Sequence, residues 1–158
     1  MHFQTYIQNL PISNSFKEQI LDKQFIESNP IYYQNYPSLF ANAFSISSKN
    51  IELLDIAGYL YYQATIFTDS LIDEKDITKF PLITICQEES IKILTNIYGL
   101  ENNFWNCWNK RKNEYLQAIY LEKELSRKEI ATIEEYEVLA DNKAAFGKVA
   151  IDCLFCID

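Results

Sequence analysis

The stretch NIELLDIAGYLYYQATIFTDSLIDEKD, residues 50–76, decides the fold that we expect for this chain. Apolar residues recur in it at spacings of three and four, which is typical of an amphipathic α-helix. No proline interrupts the stretch, so the pattern predicts a single helix of more than twenty residues. Because the average helix has about 12 residues, a helix of this length favours an all-α protein built from long helices.

The sequence before this stretch predicts two shorter helices. Apolar spacing predicts a helix over residues 13–28, which Pro30 ends. The aromatic segment at residues 31–36 is typical of a loop. Pro37 suits the first turn of a short helix, because proline lacks only an amide hydrogen that a first turn leaves unpaired.

The sequence after it predicts three long helices. The first covers residues 81–98 and stops at Gly99. The second is capped by Asn102 or Asn103. The third starts at the capping box TIEE, residues 132–135, and continues to the end of the chain.

Composition excludes several classes of protein. The 158 residues carry a net charge of −8, with 48% apolar and 15% aromatic residues, so the length suits one domain with a sizeable core. Three glycines cannot form a phosphate-binding loop of the P-loop or dinucleotide type. The acidic balance argues against a nucleic-acid partner. No signal peptide and no apolar run of about 18 residues are present, so we expect a cytoplasmic chain with no membrane span.

Four cysteines occur, at positions 86, 107, 153 and 156. Cys153 and Cys156 form a CxxC pair, which suggests either a zinc or redox site or two buried apolar side chains. Zinc would need two more ligands, and His2 is the only histidine. The pair also lies within an apolar helical run, so we expect reduced, buried thiols.

Two carboxylates stand one helical turn apart near the end of the long helix. Asp69 and Asp73 are at i and i+4, and Asp76 is predicted three residues further on the same side. Like charges at this spacing destabilise a helix by roughly 0.2–0.5 kcal/mol. Magnesium takes oxygen ligands and combines one or two protein carboxylates with substrate phosphates. The spacing therefore suggests a Mg²⁺ site, although Lys75 and Lys79 are close enough for these acids to form an ordinary solvated helix end.

The same helix face continues away from the carboxylates as an apolar wall formed by Tyr62, Thr65 and Ile66. In the last predicted helix, Lys143 precedes a run of small residues that includes Ala144 and Gly147. Small side chains let a ligand or another helix approach closely. Lys143 is therefore a candidate anion contact, and close helix packing beside a solvated lysine is the alternative.

The segment YLYYQATIFTDSLIDEKD, residues 59–76, resembles the first aspartate-rich helix of class I isoprenoid synthases, the polyprenyl diphosphate, squalene/phytoene and terpene synthases. Asp69 and Asp73 match the first and last positions of the family's DDxxD pattern, and Ser70 replaces its second aspartate. EEYEVLADNKAAFGKVAIDCL, residues 134–154, resembles a later helix in which a Lys-Thr pair precedes small residues. Lys143 takes the lysine position, and Ala144 replaces the threonine. The chain is also similar to bacterial class 1 isoprenoid biosynthesis enzymes.

The resemblance implies an antiparallel helical bundle of the isoprenoid synthase type around an apolar pocket. It implies that Mg²⁺ on Asp69 and Asp73 binds a prenyl diphosphate substrate, whose ionisation precedes coupling or cyclisation. Lys143 would contact the diphosphate, and Tyr62, Thr65 and Ile66 would line the substrate pocket.

The family's second aspartate-rich motif is absent from residues 1–158. We therefore expect this single all-helical region to be the N-terminal part of a truncated domain, inactive on its own because the site is completed elsewhere. The alternative is a non-catalytic helical interaction module, which would bury its core-facing sides by forming a homodimer.

Overall fold

The computed structural model describes residues 3–28 and 35–157, and every regular element within them is helical. The prediction of an all-α protein is therefore confirmed. The described residues form two compact units, one within Met1–Gly99 and the other Leu100–Ile157, and each is described by itself. The interpretation of residues 1–158 as one region of a larger domain stays a prediction.

The first unit is organised around the long helix that the sequence predicts. This helix begins at Ser48, two residues earlier than predicted, and ends at Asp73, three residues earlier than predicted. The helices of this unit are α1 (Phe3–Gln8), α2 (Asn14–Ile20), α3 (Lys23–Ser28), α4 (Tyr36–Phe40), α5 (Ser48–Asp73) and α6 (Phe80–Tyr98).

Helices α5 and α6 pack along each other over most of their length. The connection between them, residues 74–79, is too short for a parallel crossover, so the two helices are antiparallel. They bury apolar side chains on both sides of their interface. The buried members include Leu54, Leu60, Ala64 and Phe67 of α5 and Leu82, Cys86, Ile93 and Leu94 of α6. Each large apolar side chain stabilises the fold by about 1.5–3 kcal/mol, so this interface is the main core of the unit.

A buried polar network attaches the N-terminal helices to this pair. The hydroxyl of Tyr59 donates to the carbonyl oxygen of Ile20 at 2.7 Å and accepts from Gln63 Nε2 at 3.1 Å. The ring of Phe3 lies 4.2 Å from that of Tyr59, measured between centroids. Burial raises the pKa of Tyr59 well above its usual value. The phenol therefore stays neutral and keeps its hydrogen bonds at any physiological pH.

The short helix α4 is capped by a residue of α5. Its own N-cap residue, Asn35, makes no side-chain capping bond. The carboxylate of Asp55 instead accepts hydrogen bonds from the Ser38 amide, at 3.1 Å, and from the Ser38 hydroxyl. Pro37 lies in the first turn, as predicted, and its Cδ would be 3.7 Å from a Cβ at Gly58. A small residue in α5 therefore gives α4 room to approach.

The prediction of one helix over residues 13–28 is wrong, because the chain breaks at Leu21 and Asp22 between α2 and α3. In a continuous helix the Ile20 carbonyl would accept the amide four residues later, but here it accepts the hydroxyl of Tyr59. The tertiary hydrogen bond coincides with the break. Helix α1 was not predicted, and the predicted stop at Pro30 and most of the predicted aromatic loop fall on residues 29–34, outside the described residues.

The second unit contains α7 (Phe104–Leu125), α8 (Ile133–Lys143) and α9 (Ala145–Phe155). The predicted capping box is confirmed, because Thr132 accepts from the Glu135 amide and Glu135 accepts from the Thr132 amide. Of the two predicted caps of α7, Asn102 accepts the Phe104 amide at 2.8 Å, whereas Asn103 makes no side-chain capping bond.

The prediction of one continuous last helix is wrong, because the chain bends at Ala144. Helix α8 has no buried residue, whereas α9 buries Ala145, Val149 and Cys153 among others. A single straight helix would place the exposed residues of α8 and the apolar face of α9 along one common axis. The bend lets both helices pack against α7, α9 through its apolar face and α8 with none of its residues fully buried.

The stability of the first unit is expected to depend on pH through Asp55. Burial raises the pKa of its carboxyl, although the hydrogen bonds from Ser38 oppose this shift. A carboxyl whose pKa is higher in the folded state contributes stability when it is protonated, and this contribution is lost as the pH rises through the folded-state pKa. Relative to Asp55→Asn, the unmodified protein should therefore gain stability as the pH falls from neutral towards the ordinary value of 3.8.

Urea unfolding of both proteins at about pH 7 and about pH 4.5 measures this difference. Asp55→Ala is the matched control. Unlike Asp55→Asn, it removes the acceptor of the Ser38 amide, so its free energy of unfolding should be about 0.5–2 kcal/mol lower than that of Asp55→Asn at both pH values. A difference between the unmodified protein and Asp55→Asn that stays constant or grows with rising pH would contradict the assignment.

Candidate functional site

The end of α5 places the two predicted carboxylates on one helix face. Asp69 and Asp73 both belong to α5, one turn apart, with Asp69 half-buried and Asp73 exposed. The helix ends directly after them, with Glu74 as its C-cap. Negative charge is unfavourable at the C-terminus of a helix, because the unpaired carbonyl groups there already carry partial negative charge. The structure thus holds two acids where helix electrostatics oppose them.

The third acid does not continue this face, so its predicted position is wrong. Asp76 lies beyond the end of α5 and caps the 3-10 turn Ile77–Lys79. Its carboxylate accepts the Thr78 amide at 3.0 Å and the Thr78 hydroxyl, and it pairs with Lys79 at 3.7 Å. These hydrogen bonds and the Lys79 charge lower the pKa of Asp76. Asp76 is therefore a structural cap, because the helix ends too early to carry it.

The predicted apolar wall forms a half-buried stripe along α5. Tyr62, Thr65 and Ile66 are each partly exposed, and they precede Asp69 at helical spacing. The hydroxyl of Thr65 donates to the carbonyl oxygen of Tyr62 at 2.7 Å, so its lone pairs remain as acceptors. The stripe thus offers a largely apolar surface that leads from Tyr62 to the two carboxylates.

This donor set suits a metal ion that brings other ligands with it. Among residues 3–28 and 35–157, no group of three or more His, Cys, Asp or Glu side chains is arranged to hold a metal ion. Two carboxylates alone cannot complete an octahedral site, but Mg²⁺ usually retains waters and takes phosphate oxygens from the substrate. Asp69 and Asp73 therefore fit a Mg²⁺–phosphate complex better than a bare cation.

Lys79 is a basic residue that lies close to this end of α5. Lys79 lies 3.4 Å from Gln19 Oε1, and its Nζ is 5.8 Å from the centroid of the Phe67 ring. The 3-10 turn after α5 brings this lysine back over the helix that it follows. Lys79 follows Asp73 by six residues. This spacing would have indicated that the chain turns back over α5 only if the end of α5 had been predicted correctly.

The predicted anion contact Lys143 belongs to the second unit, where it is the last residue of α8. Its ammonium group pairs with Glu122 of α7. Both side chains are substantially exposed, at 37% and 48%, and exposed ion pairs contribute only about 0–1 kcal/mol. Lys143 is therefore engaged in a weak pair that an anion could replace, and its contact with diphosphate stays a prediction.

Comparison of the chain with protein-family models, curated proteins and solved structures finds no match in any of the three. Within the described residues, no helix combines the length and the apolar character that crossing a membrane requires.

Neutralising the exposed carboxylate is expected to stabilise the metal-free protein. Asp73→Asn removes one of two like charges four residues apart and a negative charge in the last turn of α5, so we expect a gain of about 0.2–0.5 kcal/mol. Urea unfolding in a chelating buffer measures this gain.

Glu88→Gln is the matched control. Glu88 is an exposed acid on α6 four residues before Lys92, so neutralising it should not raise stability. A loss of stability in Asp73→Asn would show that the carboxylate forms a stabilising contact in the metal-free protein.

Proposed function

We propose that this chain is a class I isoprenoid synthase-like protein that binds a prenyl diphosphate through Mg²⁺ held by Asp69 and Asp73. The observation that supports this proposal best is the unfavourable placement of the two acids. They lie one turn apart at a helix C-terminus, at the end of a half-buried apolar stripe. A Mg²⁺–diphosphate ligand would offset the repulsion between the two carboxylates, and its hydrocarbon chain would cover the stripe.

The two carboxylates hold the charged end of the substrate. Asp69 is half-buried, next to the apolar stripe, whereas Asp73 is exposed one turn further along α5. When bound, Mg²⁺ supplies Lewis-acid assistance to the departure of the diphosphate. The chain's contribution is to orient the diphosphate at the end of α5.

The stripe binds the hydrocarbon part of the substrate. Ile66 and the ring of Tyr62 offer apolar surface next to Asp69, and a prenyl chain laid along them would exclude water from the allylic carbon. The face of an aromatic ring also attracts positive charge, so Tyr62 would stabilise charge that develops on the chain. Thr65 contributes its methyl group, since its hydroxyl proton is donated within the helix.

The resemblance also assigns Lys143 to the diphosphate and the helices to an isoprenoid synthase bundle, and we include both in the proposal. Within the second unit, Lys143 and Glu122 form an exposed and weak ion pair, so the ammonium group could bind an anion in place of the Glu122 carboxylate. The proposal extends to enzymatic activity, in which ionisation of the prenyl diphosphate is followed by coupling or cyclisation.

One observation favours a second candidate, a helical interaction module that forms a homodimer. Helix α8 has no buried residue, yet Ile133, Tyr136 and Val138 on it are 64%, 62% and 52% exposed. Ile133 and Tyr136 are three residues apart and share a helix face, and exposed apolar residues on one face often mark a protein interface. In this case the protein would be a stable dimer in solution and would bind no prenyl diphosphate.

Binding of a metal–diphosphate complex tests the first candidate directly. We expect the protein to bind Mn²⁺, as a probe for Mg²⁺, weakly on its own and much more tightly with inorganic pyrophosphate, because the phosphate oxygens complete the site. Equilibrium dialysis against protein-free buffers of the same Mn²⁺ and pyrophosphate content measures both affinities, because pyrophosphate also binds Mn²⁺ in solution. Asp69→Ala and Asp73→Ala should each weaken the ternary complex at least about tenfold, or about 1.4 kcal/mol.

Glu88→Ala, the same change at an exposed acid of α6, should leave this affinity unchanged. Equal affinities in all four proteins, or no effect of pyrophosphate, would contradict the metal site. Light scattering on the same samples tests the second candidate, since only the interaction module requires a dimer.

A further inference from the structure

The cysteine pair that the structure brings together is not the CxxC pair of the sequence. Cys153 lies in α9 and is 4% exposed, so it is an ordinary buried side chain. Cys156 is the C-cap residue of α9 and is half-buried, as is Cys107 near the start of α7. These two half-buried thiols are far apart in the sequence but belong to the same unit.

The register of α7 and α9 sets Cys107 opposite Cys156. Arg111 Nε donates to Asp152 Oδ2 at 2.8 Å, and the rings of Tyr115 and Phe146 lie 4.9 Å apart. As residue numbers rise along α7 they fall along α9, so the two helices are antiparallel. One turn before Arg111 is Cys107, and one turn after Asp152 is Cys156. The Arg111–Asp152 ion pair therefore aligns the two cysteines.

The side chains lie near each other, as this register requires, because the Cys107 thiol is close enough to help raise the pKa of the Cys156 thiol. Both cysteines are in the reduced form, with no disulfide between them. Arg111 also pairs with Glu114 at 3.1 Å, and the side chains of Arg111 and Asp152 are about one-fifth exposed, at 19% and 21%. A partly buried charged group with two partners holds a helix pair more firmly than an exposed ion pair does.

We propose that Cys107 and Cys156 are a redox-responsive dithiol, which closes to a disulfide by exchange with a low-molecular-weight disulfide such as oxidised glutathione. The thiolate of Cys107 attacks one sulfur of the small disulfide, whose sulfur–sulfur bond breaks and releases one thiol. Cys156 then attacks the mixed disulfide at the Cys107 sulfur and releases the second thiol. The protein loses two hydrogens and two electrons, and the small disulfide gains them.

The order of attack follows from the surroundings of Cys156. Burial, together with the nearby Cys107 and Asp152, raises the pKa of the Cys156 thiol. Since the thiolate is the attacking species, the raised pKa slows the attack of Cys156 on an external disulfide. It acts second, when the mixed disulfide holds its target sulfur next to it.

The bond would join the first turn of α7 to the end of α9. It would restrain the last helix of the unit in the register that Arg111 and Asp152 define, so oxidation would rigidify this end of the unit. Cys153 takes no part in the formation of this disulfide, because its side chain on α9 is buried.

Oxidation of the full chain in glutathione redox buffers tests the proposal. After free thiols are blocked under denaturing conditions, peptide mass spectrometry should find one intramolecular disulfide, between Cys107 and Cys156, with Cys86 and Cys153 blocked as free thiols. Cys153→Ser is the matched control and should form the same bond. Cys156→Ser should stop at a mixed disulfide of Cys107 with glutathione, and Cys107→Ser should form a mixed disulfide at Cys156 only slowly.

A second measurement separates this bond from accidental oxidation. The oxidised protein and oxidised Cys153→Ser should unfold at a higher temperature than their reduced forms, whereas Cys107→Ser should show no such rise. A Cys153–Cys156 disulfide, mixed disulfides that never close, or a closed bond with no change in unfolding temperature would each overturn the proposal.

Discussion

The packing of α5 against α6 is the constraint on which the rest of the first unit depends. Its apolar contacts are supplemented by one polar bond, from the Ser90 hydroxyl to the Ala57 carbonyl oxygen at 2.9 Å. Ser90 is fully buried, and its bond satisfies a donor that would otherwise destabilise the core. With this interface formed, α5 has a fixed buried face, and α1, α2 and α4 are placed relative to it. Tyr59 fixes the end of α2, and Asp55 caps α4.

The same constraint decides which residues are available for chemistry. The face of α5 that carries Gln63, Ala64 and Phe67 is buried, so the neighbouring face with Tyr62, Ile66 and Asp69 stays partly open. A functional site on this helix must use the open face. No further helical turn follows the acids at the end of α5. The chain turns at Lys75, whose φ of 58° is in the left-handed region.

Much of the fold could be predicted from local patterns, and the exceptions have a common cause. The extent of α6, its stop at Gly99 and the capping box at Thr132 follow from interactions between residues close in sequence. The breaks at Leu21 and Ala144 do not. The first break coincides with the hydrogen bond from the Tyr59 hydroxyl of α5 to the Ile20 carbonyl oxygen. The second break lets α9 pack on α7. Both breaks are accompanied by contacts between residues distant in sequence, which periodicity within one segment does not contain.

The sequence by itself determined an all-α protein, the long helix α5 and the alignment of Asp69 with Asp73, because helical spacing depends only on local geometry. Tertiary structure alone decided that Asp76 is a cap, that Lys143 pairs with Glu122, and that Cys156 faces Cys107 rather than Cys153. Each of these depends on where a helix ends or on which helix packs beside it. Such contacts are set by the burial of apolar faces between segments, which a one-dimensional pattern does not contain.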